Sequence, residues 1–550
     1  MALGDNGTGP VNIDMSLVTT NYAIVASIAA LMAYTSLALP STTVYVQGYY
    51  TAGDGGGSVF SVGAATTANG GTIFNDASGR SWYRESAKNG VTVLQFGADP
   101  TGETDSTAAC QAALNFSTYV YFPPGIYKIS AALTSMFSGQ KIFGAGFYGY
   151  AGAGEGGTTI NQTSTTSNIF TLSNESCQLS DFQLNYTGTA TAGAAIYVSG
   201  SNTVLERFWV QGGSTGIFFT TNTTQFASKF QIFGTSFSGV VCQNIADVTL
   251  SDFLINAQST ANNTNGGIYF DGNVQAVRVS NADILSGNYS LNSQYNGTLG
   301  VGTAPSFCLF TNVFFDSSAN GAIIDQCEGF IFTNCWFSNR PGNGAVVGTT
   351  ATNGISFIGC IFANCGEYGC LVQEYAVDTS FLGCYFVGNS TDSPGTYSGL
   401  IFGANCSSFS VIGCTASSSG LGLTSTQLYG IEVSAGTSND YILQGNNVNG
   451  NGVAGILDGG TGITKQITGN IGYHPTNSTN TITVDASPFT YTNTTGAPQV
   501  ITVTGGTVSE IELLGNALYT TTNQSFVLPQ GSSTTVTYSA MPNMFYGFLV

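Results

Sequence analysis

The sequence predicts an all-β fold: a right-handed parallel β-helix (solenoid) with a small N-terminal head region and a C-terminal antiparallel β-domain. Three observations predict it. Charged residues make up only 7% of the chain while Gly reaches 73 residues, so helix formers are scarce and turn formers abundant. With 36 Phe and 27 Tyr, a chain this poor in charge can still build a core instead of remaining disordered. A short apolar pattern also recurs along most of its length.

The pattern reads apolar-x-polar-apolar-x-apolar. It appears as LSDFQL from Leu179, LERFWV from Leu205, LSDFLI from Leu250 and FTNVFF from Phe310. It continues as FTNCWF from Phe332, FIGCIF from Phe357, FLGCYF from Phe381 and VIGCTA from Val411, then decays to LQGNNV from Leu443 and ITGNIG from Ile467. From Phe310 on, the copies recur every 22 to 32 residues. Between them lies a second pattern, a small residue before an apolar pair. Examples are Ala195-Ile196-Tyr197, Gly216-Ile217-Phe218, Gly267-Ile268-Tyr269, Ala322-Ile323-Ile324, Gly399-Leu400-Ile401 and Gly430-Ile431-Glu432. Short strands at this period, with Gly or Asn at the corners, describe rungs that stack because none can bury its own apolar face.

Cys335, Cys360, Cys384 and Cys414 hold the same slot in successive copies. Stacked rungs would set them about 4.8 Å apart along the axis. A straight ladder is not the tetrahedral convergence zinc requires, so these are read as reduced core thiols, with no metal and no cofactor. The polar slot before them, held by Asn312 and Asn334 among others, suits a corner where Asn tolerates left-handed backbone.

Ahead of the repeats stands VTVLQFGADPTGETDSTAACQAALNFSTYVYFPPGIYKIS, Val91 to Ser130. The elements Phe96-Gly97-Ala98-Asp99, Thr104-Asp105-Ser106-Thr107 and Val120-Tyr121-Phe122-Pro123-Pro124-Gly125 resemble the opening of the pectate-lyase-superfamily β-helix of bacteriophage tailspikes. Asp105 or Ser106 is expected to cap the Ala-rich helix that plugs the solenoid, and the motif's Asp residues are structural. Upstream, Thr43 to Tyr50, Asp54 to Gly57 and Trp82-Tyr83-Arg84 are similar to tailspike head regions. The resemblance implies a homotrimer, assembly in the host cytoplasm, and a virion location with action at the bacterial cell surface. It also implies a phage tail or baseplate protein as partner of the head. The resulting division is 1–90 head, 91–473 β-helix with its helical cap, and 474–550 a sandwich-like β-domain in which period-two alternation sets in after His474.

Charge excludes several classes. The formal net charge is −19 with ten Lys plus Arg, so no cationic stripe exists for nucleic acid or an anionic membrane. An acidic glycan would be repelled, which leans the expected partner toward a neutral or weakly charged surface polysaccharide, capsule or O-antigen. Tyr22 to Leu39 is apolar, but no Lys or Arg precedes it and Ala, Ser and Thr dilute it. It reads as a helix packed on another subunit or the next domain, not a membrane insertion.

Glycosidic cleavage needs two carboxylates, about 5–5.5 Å apart for retention and about 6.5–9.5 Å for inversion. The densest set is Asp325, Glu328, Glu367, Glu374 and Asp378, with Arg340 nearby; Asp325, Glu328 and Glu374 are the candidate catalytic residues. Glu374 is placed in the slot of Gln326 and Asp271. Asp325 falls among Val198, Phe219, Phe270 and Phe402, hence either at a strand end or buried with a shifted pKa. The competing reading makes these rim charges. Outward aromatics form two stripes: Trp209, Phe314, Trp336, Ile361 and Tyr385 in the first strand, and Tyr197, Phe218, Tyr269, Ile324 and Val372 in the second. One is assigned to a trimer interface and the first, adjoining the carboxylates, to glycan, so Trp209, Trp336, Tyr385 and Arg340 are the glycan-binding candidates. The insertion Ser286 to Ser306 is read as a groove wall. Three functions compete: a tailspike depolymerase of hydrolase type, a non-catalytic glycan-binding or purely structural fibre, and a polysaccharide lyase using Arg278 or Arg340.

Overall fold

The structure, a computed structural model, describes residues 23–34, 43–87, 90–147, 156–220, 223–257, 265–285, 287–293, 304–338, 341–348, 352–473 and 480–548. Three apolar clusters divide it. A head core holds Val44, Phe60, Phe74 and Trp82, one long core runs from Val91 to Ile467, and a third lies between Ile482 and Met544.

In the head, strands Thr43–Val46, Ser58–Gly63, Ser81–Arg84 and Ile73–Asn75 pair antiparallel, and Ala23–Val25 joins Thr43–Val46 in parallel. Of the apolar segment around residue 30, only Ile28–Met32 is helical among the described residues, capped by Ser27. Its Ile28 and Leu31 pack into the head's own core, so this short helix is internal to the head.

The long core is a parallel β-solenoid, a 34-stranded system whose strands pair with their counterparts one rung away. The rung that starts at Ile331 shows the plan. A first face (Ile331–Thr333) turns at Asn334 into a second face (Trp336–Ser338), and a third face (Ala345–Val347) follows the next corner. The turn between the first and second faces has left-handed backbone at Asp181, Arg207, Lys229, Asp252, Asn281, Asn312 and Asn334, then at Gly359, Gly383, Gly413, Gly445 and Gly469. Asn and Asp accept that conformation at modest cost and Gly at none, which is why this slot is polar in one half and bare in the other.

The first-face register runs Leu179, Leu205, Ala227, Leu250, Val279, Phe310 and on to Ile467. Ala227 and Val279 are two copies that the sequence pattern passed over. Phe310, Phe332, Phe357 and Phe381 stack at 4.6, 5.0 and 4.9 Å. Phe315, Phe337, Phe362 and Phe386 form a second stack at 4.9, 4.7 and 4.8 Å. The Cys column runs between these stacks, and each thiol donates to a carbonyl of the preceding rung, as Cys384 Sγ does to Phe357 O at 3.3 Å. Burial pushes the Cys308 thiol up to about 12. In the last two rungs Asn446 and Asn470 take over the Cys slot, and Asn446 Nδ2 donates to Asn470 Oδ1 at 2.9 Å. A buried amide must be paired, and this ladder pairs it.

The third-face register corrects the sequence alignment by one residue. Ile268 pairs with Leu291, and Leu291 with Ala322, so Ala322 and not Ile323 fills the inward slot. Ile324 and Val372 are therefore inward, while Ile323 and Leu371 point out. Leu291–Asn292, inside the stretch read as a groove wall, is itself a rung strand; residues 294–303 lie outside the described residues.

The helix Thr107–Phe116 closes the first end with Cys110, Ala113 and Leu114 buried. Asp105 Oδ1 accepts from Thr107 N at 2.8 Å, while Ser106 Oγ accepts from Asp99 N, so Asp105 supplies the capping acceptor. Asp99 is partly desolvated, yet bonds from Thr101 and Thr104 hold its carboxyl far below the usual carboxylate range. Arg84 ties head to cap: its buried guanidinium donates to the carbonyls of Gly56, Gly57, Gly71 and Gln95. At the other end two four-stranded antiparallel sheets enclose Ile501, Ile511, Phe526 and Val536. This sandwich meets the last rung where Ile467 N donates to Gly496 O at 2.8 Å.

Candidate functional site

The third face ends at a corner that returns to the next first face, and this corner gathers most of the carboxylates. Asp325 follows the strand Ala322–Ile324, so of the two alternatives drawn from sequence the strand-end position is the one observed. The inward slot once assigned to it belongs to Ile324, because the register shifts by one. Asp325 N donates to Ser293 Oγ at 2.9 Å and Ser293 Oγ donates back to Asp325 O at 3.0 Å. Asp325 Oδ1 accepts from Gln326 N at 2.8 Å and Thr352 Oγ1 at 3.2 Å. The carboxylate so held lies over Gly348 of the next rung.

Asp325, Gly348 and Gln373 stand in file, each following an inward member of the Ile324, Val347, Val372 register. Glu374 is one residue beyond, exposed, and in the file of Gln326. Asp271 follows Phe270 and so belongs to the file of Asp325, not that of Glu374. An open depression of about 390 Å³ is lined by Leu371, Gln373, Glu374 and Gly403. Gly403 makes it possible: a Cβ there would stand 2.7 Å from Glu374 N, so only glycine admits this approach of two rungs. Glu328 lies exposed on the same corner, bridged to Ser306 and Asn353, and Asp378 follows further along it.

The aromatic candidates fall elsewhere. Trp336 and Tyr385 occupy the second face, in one outward file with Phe314 and Ile361. The first face separates them from the Asp325 corner, so they do not adjoin it; what they approach is the opposite corner, before the third face, where Glu367 sits. Tyr385 is 41% exposed, whereas Trp209 is only 6% exposed because it stacks on Phe233 at 4.3 Å. Arg340 lies outside the described residues. Arg278 is exposed on the first face. The second aromatic stripe is largely covered by the chain itself, with Val241, Tyr269 and Ile401 buried. Among the described residues no group of three His, Cys, Asp or Glu side chains is placed to hold a metal ion.

One constellation went unread in the sequence. Tyr368 and Tyr397 meet edge to face at 4.9 Å, and Ser398 Oγ donates to Glu432 Oε2 at 2.6 Å. These residues come from three successive rungs, so no linear pattern announces them.

Residues 24–87 match the family described as the phage tail protein small four-stranded β-sheet domain, and residues 299–471 match the right-handed β-helix region. No curated protein matches in sequence. Among solved structures, tailspike protein 3 of bacteriophage CBA120 is 14% identical at TM-score 0.49, covering 74% of this chain and 66% of its own. The gp49 tailspike of Acinetobacter baumannii bacteriophage Fri1, a capsular polysaccharide depolymerase, is 12% identical at TM-score 0.45, covering 95% and 97%. The mannuronan C-5 epimerase AlgE4 A-module of Azotobacter vinelandii is 16% identical at TM-score 0.46, covering 69% and 100%. Residues 24–87 are thus similar to a phage-tail β-sheet domain, and the chain continues as a right-handed β-helix.

Proposed function

We propose that this chain is a bacteriophage tailspike that binds a bacterial surface polysaccharide and cleaves it at the corner carrying Asp325 and Glu374. The observation that carries this reading is the phage-tail domain at 24–87 joined through Arg84 to the cap of a β-helix. The head attaches to a phage tail or baseplate protein, which places the molecule on the virion. Leu309, Phe314, Ile331, Ile358, Leu382 and Tyr385 leave an exposed apolar surface along the first and second faces. A contiguous exposed apolar surface marks an interaction site, and three copies packed about a common axis would cover it. Trp336 and Tyr385 then serve subunit packing, and the glycan lies along the third face and its corner.

The cleavage chemistry follows from register. Two rungs and one residue separate Asp325 from Glu374, about 9.6 Å along the axis and about 3.3 Å across it at ordinary strand geometry. Asp325 already leans over Gly348 of the next rung, and Glu374 reaching back toward it would bring the pair into the about 6.5–9.5 Å that admits a water between acid and base. Asp325, fixed by Thr352 and the Gln326 N–H, is the oriented base; exposed Glu374 is the acid that reaches the leaving oxygen, and Glu328 borders the groove. With a net charge of −19 the preferred glycan is neutral or weakly charged.

The test is incubation of the purified protein with surface polysaccharides of candidate host bacteria. New reducing ends without the ultraviolet absorbance of an unsaturated sugar support hydrolysis. Absorbance redirects attention to a lyase and Arg278, and saturable binding with no shortening makes the protein a non-catalytic glycan binder.

A further inference from the structure

The third face continues past the depression. Its outward file runs Leu371, Ile401, Glu432, two rungs from first to last, so Glu432 stands about 9.6 Å along the axis from Leu371. Glu432 is the charged member of a file that is otherwise apolar from Ile323 to Ile401. Around it the chain builds a wall. Tyr368 N donates to Asn343 Oδ1 at 3.2 Å, and Tyr397 N donates to Ser390 Oγ at 3.1 Å. Leu428 N donates to Tyr397 O at 2.8 Å, so the loop bearing Tyr397 is tied to the following rung. Burial first, then the charges of Glu432, Tyr397 and Glu367, raises the Tyr368 phenol above its ordinary value, which places both glutamates within electrostatic reach of that ring.

Two half-buried rings and two partly exposed carboxylates lie on one edge, where the buried Ser398 hydroxyl holds Glu432. Both rings and both carboxylates stay partly exposed, so a ligand can reach them. Resting on the polysaccharide reading above, we infer that Tyr368, Tyr397 and Glu432, with Glu367, form a saccharide subsite distinct from the cleavage corner, that buried Ser398 positions Glu432 in it, and that it takes a neutral or amino sugar. The rings supply flat area with a polar tip, which suits the face of a pyranose. The carboxylates only accept hydrogen bonds, so they select hydroxyl or ammonium donors. They repel a uronate, whose carboxylate would enter beside two like charges.

The test uses the full-length protein on an array of immobilised neutral, amino-sugar and uronate-bearing oligosaccharides. The wild type is expected to retain neutral or amino-sugar probes and to reject uronates. Tyr397→Ala lowers that retention at least tenfold, and Ser398→Ala, shown to be folded, lowers it severalfold by releasing Glu432. Glu432→Gln admits uronate probes, a change of selectivity that a merely structural role would not produce. Retention of uronates alone by the wild type overturns the subsite. So does wild-type retention by Tyr397→Ala and Ser398→Ala while Glu374→Ala loses it, and in that case the tailspike reading stands. If no probe and no host polysaccharide is retained by the wild type, the polysaccharide reading fails and the subsite with it.

Discussion

The carboxylate of Asp325 occupies the space above Gly348, and a Cβ built on that glycine would stand 1.8 Å from Asp325 Oδ1. The glycine is therefore the socket of the acid. Gly348→Ala must push the carboxylate off its bonds to Thr352 and the Gln326 N–H. The clash extends to Asp325 Cγ at 2.3 Å and Cβ at 2.6 Å, so the backbone must yield as well, at about 1–3 kcal/mol. Cleavage is expected to fall at least tenfold at a temperature where the variant, with its lowered melting temperature, is still folded, measured as reducing ends released against thermal unfolding.

All twelve cysteines are free and buried. Thiolate character is what makes cysteine reactive, and burial suppresses it. A thiol reagent is expected to label essentially none in the native protein and all twelve after unfolding. Rapid native labelling of the Cys335 to Cys414 column would contradict the continuous core.

The corner glycines test the backbone account. Gly383 has φ 62, and a Cβ there meets nothing within 4 Å. Gly383→Ala thus adds only the left-handed penalty, about 1–2 kcal/mol. Gly383→Asn should cost less, as Asn334 holds the same slot at φ 52. Denaturant unfolding of both variants compares them directly.

Arg84 is buried and bonded to four carbonyls. Arg84→Met leaves those acceptors unpaired, at about 1–3 kcal/mol for each group kept from water. Arg84→Lys cannot reproduce the fork and should rescue little. The head is expected to become protease-sensitive while the solenoid resists, read by limited proteolysis.

Acid stability follows from two carboxyls. Asp76 and Asp99, though partly desolvated, are held far below the ordinary range by hydrogen bonds, Asp76 from Ser78, Trp82 and Arg80, and Asp99 from Thr101 and Thr104. Depressed carboxyls stabilise the fold fully above their unfolded pKa of about 4, and that contribution is lost as pH falls below it toward the folded value. Unfolding free energy should therefore decline below about pH 4, and less steeply in an Asp76→Asn, Asp99→Asn double variant.

The solenoid was legible because Phe and Cys repeat at one period and because corners demand Asn, Asp or Gly. Two rungs escaped notice for a plain reason: Ala227 and the Val279 copy, with Ala282 in the Phe or Cys slot, lack the large residues that mark their neighbours. The one-residue slip at Ala322 has the same origin, since a small residue there fills a slot elsewhere held by Ile or Leu. That slip puts Asp325 in an inward slot, whereas Trp336 is close to the carboxylates only in sequence, one face away from their corner. The Tyr368 and Glu432 cluster is assembled from three rungs, and only register reveals it. Trp209 reads as exposed until its neighbour Phe233 is seen to cover it.

The most direct test of the central claim is the release of reducing ends from a host polysaccharide by the wild type, Asp325→Asn and Glu374→Gln, each shown to be folded. Release by the wild type and a fall of at least a hundredfold in both variants, with binding retained, are expected. Cleavage by both variants at the wild-type rate would contradict that claim and move the chemistry off this corner.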